Sequence, residues 1–277
     1  MGWDAALFEI AENEPVGAVL RLYSWSPPAI SLGRFQDVAR AVDAERAAAA
    51  GVEIVRRPTG GRAVLHDADL TYALVARHDD PVFGGSRFAS QRVIGEALAL
   101  ALAILGVKAD LATGDGGRGG GANLRGDGAH NSALATDARR TAPPCFSSAA
   151  REEIGVGGRK LLGSARREGR SAFLQHGSLP IVTGPAAIAR FLPGDDAARA
   201  AAGARLAAHA TSLRAAGART ITMDAACDAM RRAFEERARR EFRIAPPAPR
   251  ECALAERLAP EFAVTPVECA APSASAR

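Results

Sequence analysis

Apolar and polar residues alternate with a period of two over residues 20–25, 29–32, 52–56 and 70–76, and each run predicts a strand. In the last run Leu70, Tyr72, Leu74 and Ala76 fall on one face. Residues 37–50, rich in alanine, predict a helix between the second and third runs. Leu98, Leu102 and Leu105 recur at helical spacing and give a later helix its core face, with Gly106 as its stop. The two-residue period returns over residues 159–166 and 172–181, predicting two strands joined by a turn at Glu168–Gly169–Arg170. Alternation in the first of these places Lys160, Leu162 and Ser164 on one face. Met223, Cys227, Met230 and Phe234 then space as i, i+4, i+7 and i+11, so Cys227 is expected in a helix core. Glu235 with Arg239 and Glu236 with Arg240 lie on its outer side.

Two segments break the pattern. Residues 114–140 are rich in Gly, Asp and Asn and predict a disordered insertion. Gly114, Gly116 and Gly119 there match G-x-G-x-x-G, but no strand precedes them and no helix follows, so the match carries no nucleotide site. Beyond residue 245 a Pro- and Ala-rich tail, 246–277, predicts at most one short helix. The expected organisation is therefore a single domain over 1–245 followed by that tail.

Composition narrows the function classes. Of 277 residues, 48% are hydrophobic and 24% charged, the balance of a globular chain able to bury its own core. Thirty-five basic against 31 acidic residues leave a net charge of +4, and aromatics are 5%, a poor match to a nucleic-acid binder. No run approaches the roughly 20 apolar residues of a membrane span. Asp4, Glu9, Glu12 and Glu14 near the start are unlike a signal peptide, so a cytoplasmic location is expected. Cys145, Cys227, Cys252 and Cys269 are widely spaced, with no metal-ligand pattern, so no metal site is expected.

Three segments could carry chemistry. In Arg56–Arg57–Pro58–Thr59–Gly60–Gly61–Arg62–Ala63–Val64–Leu65–His66–Asp67 a Gly-Gly turn joins two strands. The glycines permit positive φ and close approach of a ligand, and the arginines favour an anionic or carbonyl group; a plain hairpin turn fits equally well. Cys145–Phe146 follows Pro143–Pro144 at the end of the insertion. An unperturbed thiol is only a few per cent thiolate at neutral pH, and a cation lowering its pKa to about 7 would make roughly half of it nucleophilic. In Gly158–Arg159–Lys160–Leu161–Leu162–Gly163–Ser164–Ala165 the small residues Gly163 and Ser164 leave room for a ligand, and Lys160 is a candidate for that cation. Alone, Lys160 reads as a solvated strand-end charge and His176 as a hydrogen-bonded sheet histidine.

Taken together, these segments resemble the lipoate–protein ligase and octanoyltransferase family. The similarity rests on the Arg56–Asp67 run, on Ala29–Ile30–Ser31–Leu32–Gly33–Arg34–Phe35–Gln36, on Gly158–Ala165 and on Gln175–His176–Gly177–Ser178, in that family's order from about Met1 to Glu236. Arg62 after Gly60–Gly61, and Cys145–Phe146 fifteen positions before Lys160, resemble the LipM-type octanoyltransferases in particular. The ATP-dependent ligases typically carry a third glycine at the first place and no such cysteine.

The resemblance implies an α+β fold, a mixed β-sheet with flanking helices, like the catalytic domain of biotin and lipoate–protein ligases. It makes Cys145 the acyl-carrying nucleophile and Lys160 the group that lowers its pKa. Arg57, Thr59, Gly60, Gly61, His66, Gly163, Ser164 and His176 become the substrate-binding set. The implied donor is octanoyl-acyl carrier protein. The implied acceptor is a lipoyl domain, such as the glycine cleavage H protein or a dehydrogenase E2 domain. No cofactor is expected, and ATP only under a rival reading as a lipoate–protein ligase. A non-catalytic lipoyl-domain or acyl-binding protein is a third reading.

Overall fold

The computed structural model describes residues 1–111 and 154–264. Its main sheet has six antiparallel strands: β1 (Val19–Tyr23), β5 (Asp69–Arg77), β9 (Ala172–Pro180), β8 (Arg159–Glu168), β7 (Ile154–Val156) and β6 (Asp110–Leu111), in that spatial order. A smaller sheet sets β2 (Ala29–Leu32) between β3 (Glu53–Arg56), to which it runs parallel, and the antiparallel β4 (Val64–His66). The α+β class is as expected, and among the described strands parallel strand pairing occurs in this second sheet, with a single parallel bridge from Lys160 to Ala210 outside it.

β5 is buried on both faces, which explains its near-continuous apolar sequence. Leu70, Tyr72, Leu74 and Ala76 do share a face, which packs on α4 (Arg87–Ile104) and α6 (Met223–Ala238) with Ile94, Leu98, Met230 and Phe234. The opposite face carries Ala73 and Val75 under Leu7, Phe8 and Ala11 of α1 (Gly2–Asn13). Asp69 and Thr71, the polar residues of that second face, are buried as well. Cys227 packs against the α4–α6 core, half-buried.

The helix expected over 37–50 is interrupted. α2 (Val38–Ala41) ends at Val42, whose backbone is extended, and α3 (Ala44–Ala49) starts anew. Asp37 and Asp43 each accept a hydrogen bond from the backbone N–H three residues on, so each opens its own helix as an N-cap. Both helices cover the small sheet together with a 3-10 segment (Pro185–Phe191) and α5 (Asp196–His209). Last comes α7 (Pro249–Leu258), whose Ala255 and Leu258 pack on Ala5 and Ala6 of α1.

The strand phase around Lys160 also departs from simple alternation. Gly155 opposes Lys160 and Ile154 opposes Leu162, leaving Leu161 unmatched in a β-bulge. Lys160 and Leu162 therefore oppose consecutive residues of β7, which point to opposite faces, and the shared face expected for them is lost. Leu161 and Leu162 instead both enter the core.

Candidate active site

The Gly-Gly turn is held from three sides. Arg57, 5% exposed, donates from Nη1 to the Ser31 carbonyl at 2.7 Å and from Nη2 to the carbonyls of Arg62 at 2.7 Å and Gly60 at 3.0 Å. These bonds to the turn's own backbone make its guanidinium a brace for residues 59–62. Arg56 likewise donates to the carbonyl of Gln36 at 2.7 Å. Of the two glycines only Gly61 takes the left-handed conformation, with φ of 97°. Its carbonyl lies where a Cβ on Gly33 would stand, at 1.9 Å, so the end of β2 and the turn require glycine at both places.

Two carboxylate–imidazole–hydroxyl chains converge on this turn. In the first, Asp4 of α1 faces His176 Nδ1 at 3.1 Å, and His176 Nε2 faces Thr59 Oγ1 at 2.6 Å. All three are buried. Asp4 also accepts from the Tyr23 hydroxyl at 3.0 Å and pairs with Arg21. Burial pushes the Asp4 carboxyl up, but the hydrogen bond from His176 and the Arg21 guanidinium outweigh it and hold the pKa below its ordinary value. Burial pushes His176 down, against the pull of Asp4, so its imidazole is neutral at neutral pH. A neutral ring that donates Nδ1–H to an ionised carboxylate leaves Nε2 as acceptor, so the Thr59 hydroxyl donates its hydrogen bond to His176 Nε2.

In the second chain, His66 Nδ1 lies 2.8 Å from Asp69 Oδ2 and its Nε2 2.8 Å from Ser31 Oγ. Ser31 Oγ also accepts from Arg57, which joins the chain to the turn. Thr71 and Ser178 donate to the same Asp69 oxygen, and Trp25 stacks on His66 with ring centroids 4.4 Å apart.

Arg57, His66, Gly163, Ser164 and His176 come together around one cavity of about 40 Å³. Ser31, Thr71, Gly177 and Ser178 also line it, with Met1, Val64 and Ala165. That volume suits a water molecule. Ser164 Oγ is fixed by the Tyr72 hydroxyl at 2.8 Å. Thr59 reaches the group through His176, and Gly60 through Arg57.

Lys160, three residues before Gly163 and half-buried, is not part of that wall. Its carbonyl accepts the Thr211 N–H at 2.8 Å, which ties the strand to the segment after α5. Cys145 and Cys269, like the 114–140 insertion, lie outside the described residues. No group of three metal-ligating side chains occurs among the described residues, and no described helix is long and apolar enough to cross a membrane.

The family profile described as the lipoyl protein ligase A/B catalytic domain matches residues 1–235. The chain belongs to that family. It is similar to an octanoyltransferase LipM of Kyrpidia tusciae, 35% identical over 237 residues, which cover 85% of this chain and 81% of that one. An octanoyltransferase LipM of Moorella thermoacetica is 40% identical over 177 residues, covering 64% of this chain and 58% of the relative. The fold is that of a chain from an archaeal lipoylation system of Thermoplasma acidophilum, a bipartite lipoate protein ligase and its E2 lipoyl domain. That chain has a TM-score of 0.68 and 22% identity, over 93% of this chain and 85% of its own length.

Asp4, Asp69 and Ser31 are site residues that motif reading had not assigned. Asp4 stands four residues before Phe8 and seven before Ala11, inside the apolar stripe of a helix, and a carboxylate there signals a buried partner. Asp69 and Thr71 gave a similar sign as the polar members of an otherwise apolar strand.

Proposed function

We propose that this enzyme moves an octanoyl group from acyl carrier protein to a lysine of a lipoyl domain through a thioester on Cys145. The observation that carries the reading is the likeness to octanoyltransferases LipM, which in the Kyrpidia case spans 85% of the chain. In the first step the Cys145 thiolate attacks the thioester carbonyl, and the carrier's thiolate leaves and takes up the proton that Cys145 gave up. In the second, the acceptor's amine attacks the enzyme thioester, the amide forms, and the Cys145 thiolate leaves. The amine proton passes to the site.

A thioester is already activated, so neither step needs ATP. Lys160 favours the thiolate of Cys145 by its positive charge. Arg57, Thr59, Gly60, Gly61, His66, Gly163, Ser164 and His176 shape the surface that receives the acyl group. We place the reaction in the cytoplasm.

The decisive assay offers one acceptor domain two donors: octanoyl-acyl carrier protein without ATP, or free octanoate with ATP. Acylation from the carrier alone is the expected outcome. Acylation that requires ATP and survives Cys145→Ser would make the enzyme a ligase instead.

A further inference from the structure

A second and larger cavity, of about 650 Å³, opens beside the segment that carries Lys160. Arg159, Arg214 and Arg219 line it together with the buried residues Thr211 and Ser212, and no carboxylate is among its lining residues. None of the three guanidiniums has an ion-pair partner among the described residues. Its walls are built rather than draped. The Leu213 and Arg214 N–H groups donate to the carbonyls of Pro180 and Ile181 at 2.9 and 3.0 Å, fixing the arginine turn to the end of β9. Leu213 is fully buried as its anchor, and Gly217, with φ of 98°, closes the turn so that Arg214 and Arg219 flank one opening. Three like charges around one concavity repel each other, and an anion placed between them relieves that repulsion.

We propose that this cavity binds the phosphate ester on the arm through which the carrier presents its acyl thioester. This rests on the octanoyl-transfer reading above and adds where the donor is held. A guanidinium offers a planar fork that suits phosphate oxygens, and three of them form a strong site for one phosphate ester. Arg159 is the residue before Lys160, and Thr211 is hydrogen-bonded to the Lys160 carbonyl, so a phosphate held here is anchored to the same short stretch of backbone as the lysine.

The test is calorimetric titration of the full chain with carrier protein bearing the arm, with carrier lacking it, and with coenzyme A, whose arm carries its phosphate in a diphosphate link. The arm-bearing carrier should bind best, and Arg214→Ala with Arg219→Ala should weaken it about tenfold or more, to the level of the bare carrier. Arg205→Ala, on α5 outside the cavity, should leave binding unchanged. Four results would overturn the site: equal binding of bare and arm-bearing carrier, no loss in the double variant, an equal loss with Arg205→Ala, or tight coenzyme A binding with no preference between the carriers. Failure of the catalytic reading looks different. A chain that binds through these arginines yet transfers no acyl group keeps the site and loses the activity, whereas one that transfers without the preference loses only the site.

Discussion

Asp4 brings a charge into the apolar stripe of α1, where it is tolerated only because His176, Tyr23 and Arg21 all meet it. Removing one member of such a set strands the others, so Asp4→Ala should cost about 3 kcal/mol in urea unfolding. The pH dependence has a definite sign. Asp4 is held below its ordinary 3.8 and His176 below its ordinary 6.5, so the unfolded chain takes up more protons than the folded one on acidification. Stability must therefore fall with pH. The His176 share begins to be lost just below pH 6.5, whereas the Asp4 share is intact above 3.8 and goes as pH drops through its folded value. In His176→Gln the decline just under pH 6.5 should flatten; an unchanged slope would show that the imidazole is not held neutral. Gly61→Ala, at φ of 97°, should cost about 1 kcal/mol or more and lower the melting temperature.

At the scale of elements, α1 works through both of its faces. Leu7, Phe8 and Ala11 cover β5, and Ala5 and Ala6 receive α7, where Arg257 pairs with Glu9 and Arg250 with Glu14. Glu12 near its end accepts the N–H groups of Arg170, Ser171 and Ala172, fixing the β8–β9 turn. Deleting residues 246–277 should therefore expose the outer face of α1 and cost about 3 kcal/mol, roughly the burial of one leucine and its neighbours. Because Asp4 rides on that helix, acyl transfer should fall with it; full activity and stability in the shortened chain would refute this coupling.

Much of this level was legible in the sequence. Residues 29–32 form the strand expected there, and 70–76 lie within β5, because short apolar runs of this kind suit strands buried on both faces. The break at Val42 was harder to see, since alanine favours helix on both sides and only Asp43 marks the restart. The bulge at Leu161 left no mark at all, because two adjacent leucines fit either phase of a strand.

For the whole molecule, the two sheets and their motifs bring residues far apart in sequence to one place. Asp4, Thr59 and His176 form one chain of hydrogen bonds, and Ser31, His66 and Asp69 another. Around Gly60–Gly61 and Gly163–Ser164 residue type already marked space for a ligand, whereas His176 entered the set only through the family resemblance. The carboxylates behind them could not be read from residue type, because a partner distant in sequence is fixed only by the packing of α1 and β5. The central claim is that Cys145 carries the acyl group. Its most direct test is the intact mass of the enzyme after brief mixing with octanoyl-acyl carrier protein and no acceptor. The wild type should gain one octanoyl group, lose it when a lipoyl domain is added, and gain none as Cys145→Ala. An adduct of equal yield on Cys145→Ala, or none on the wild type, would contradict it.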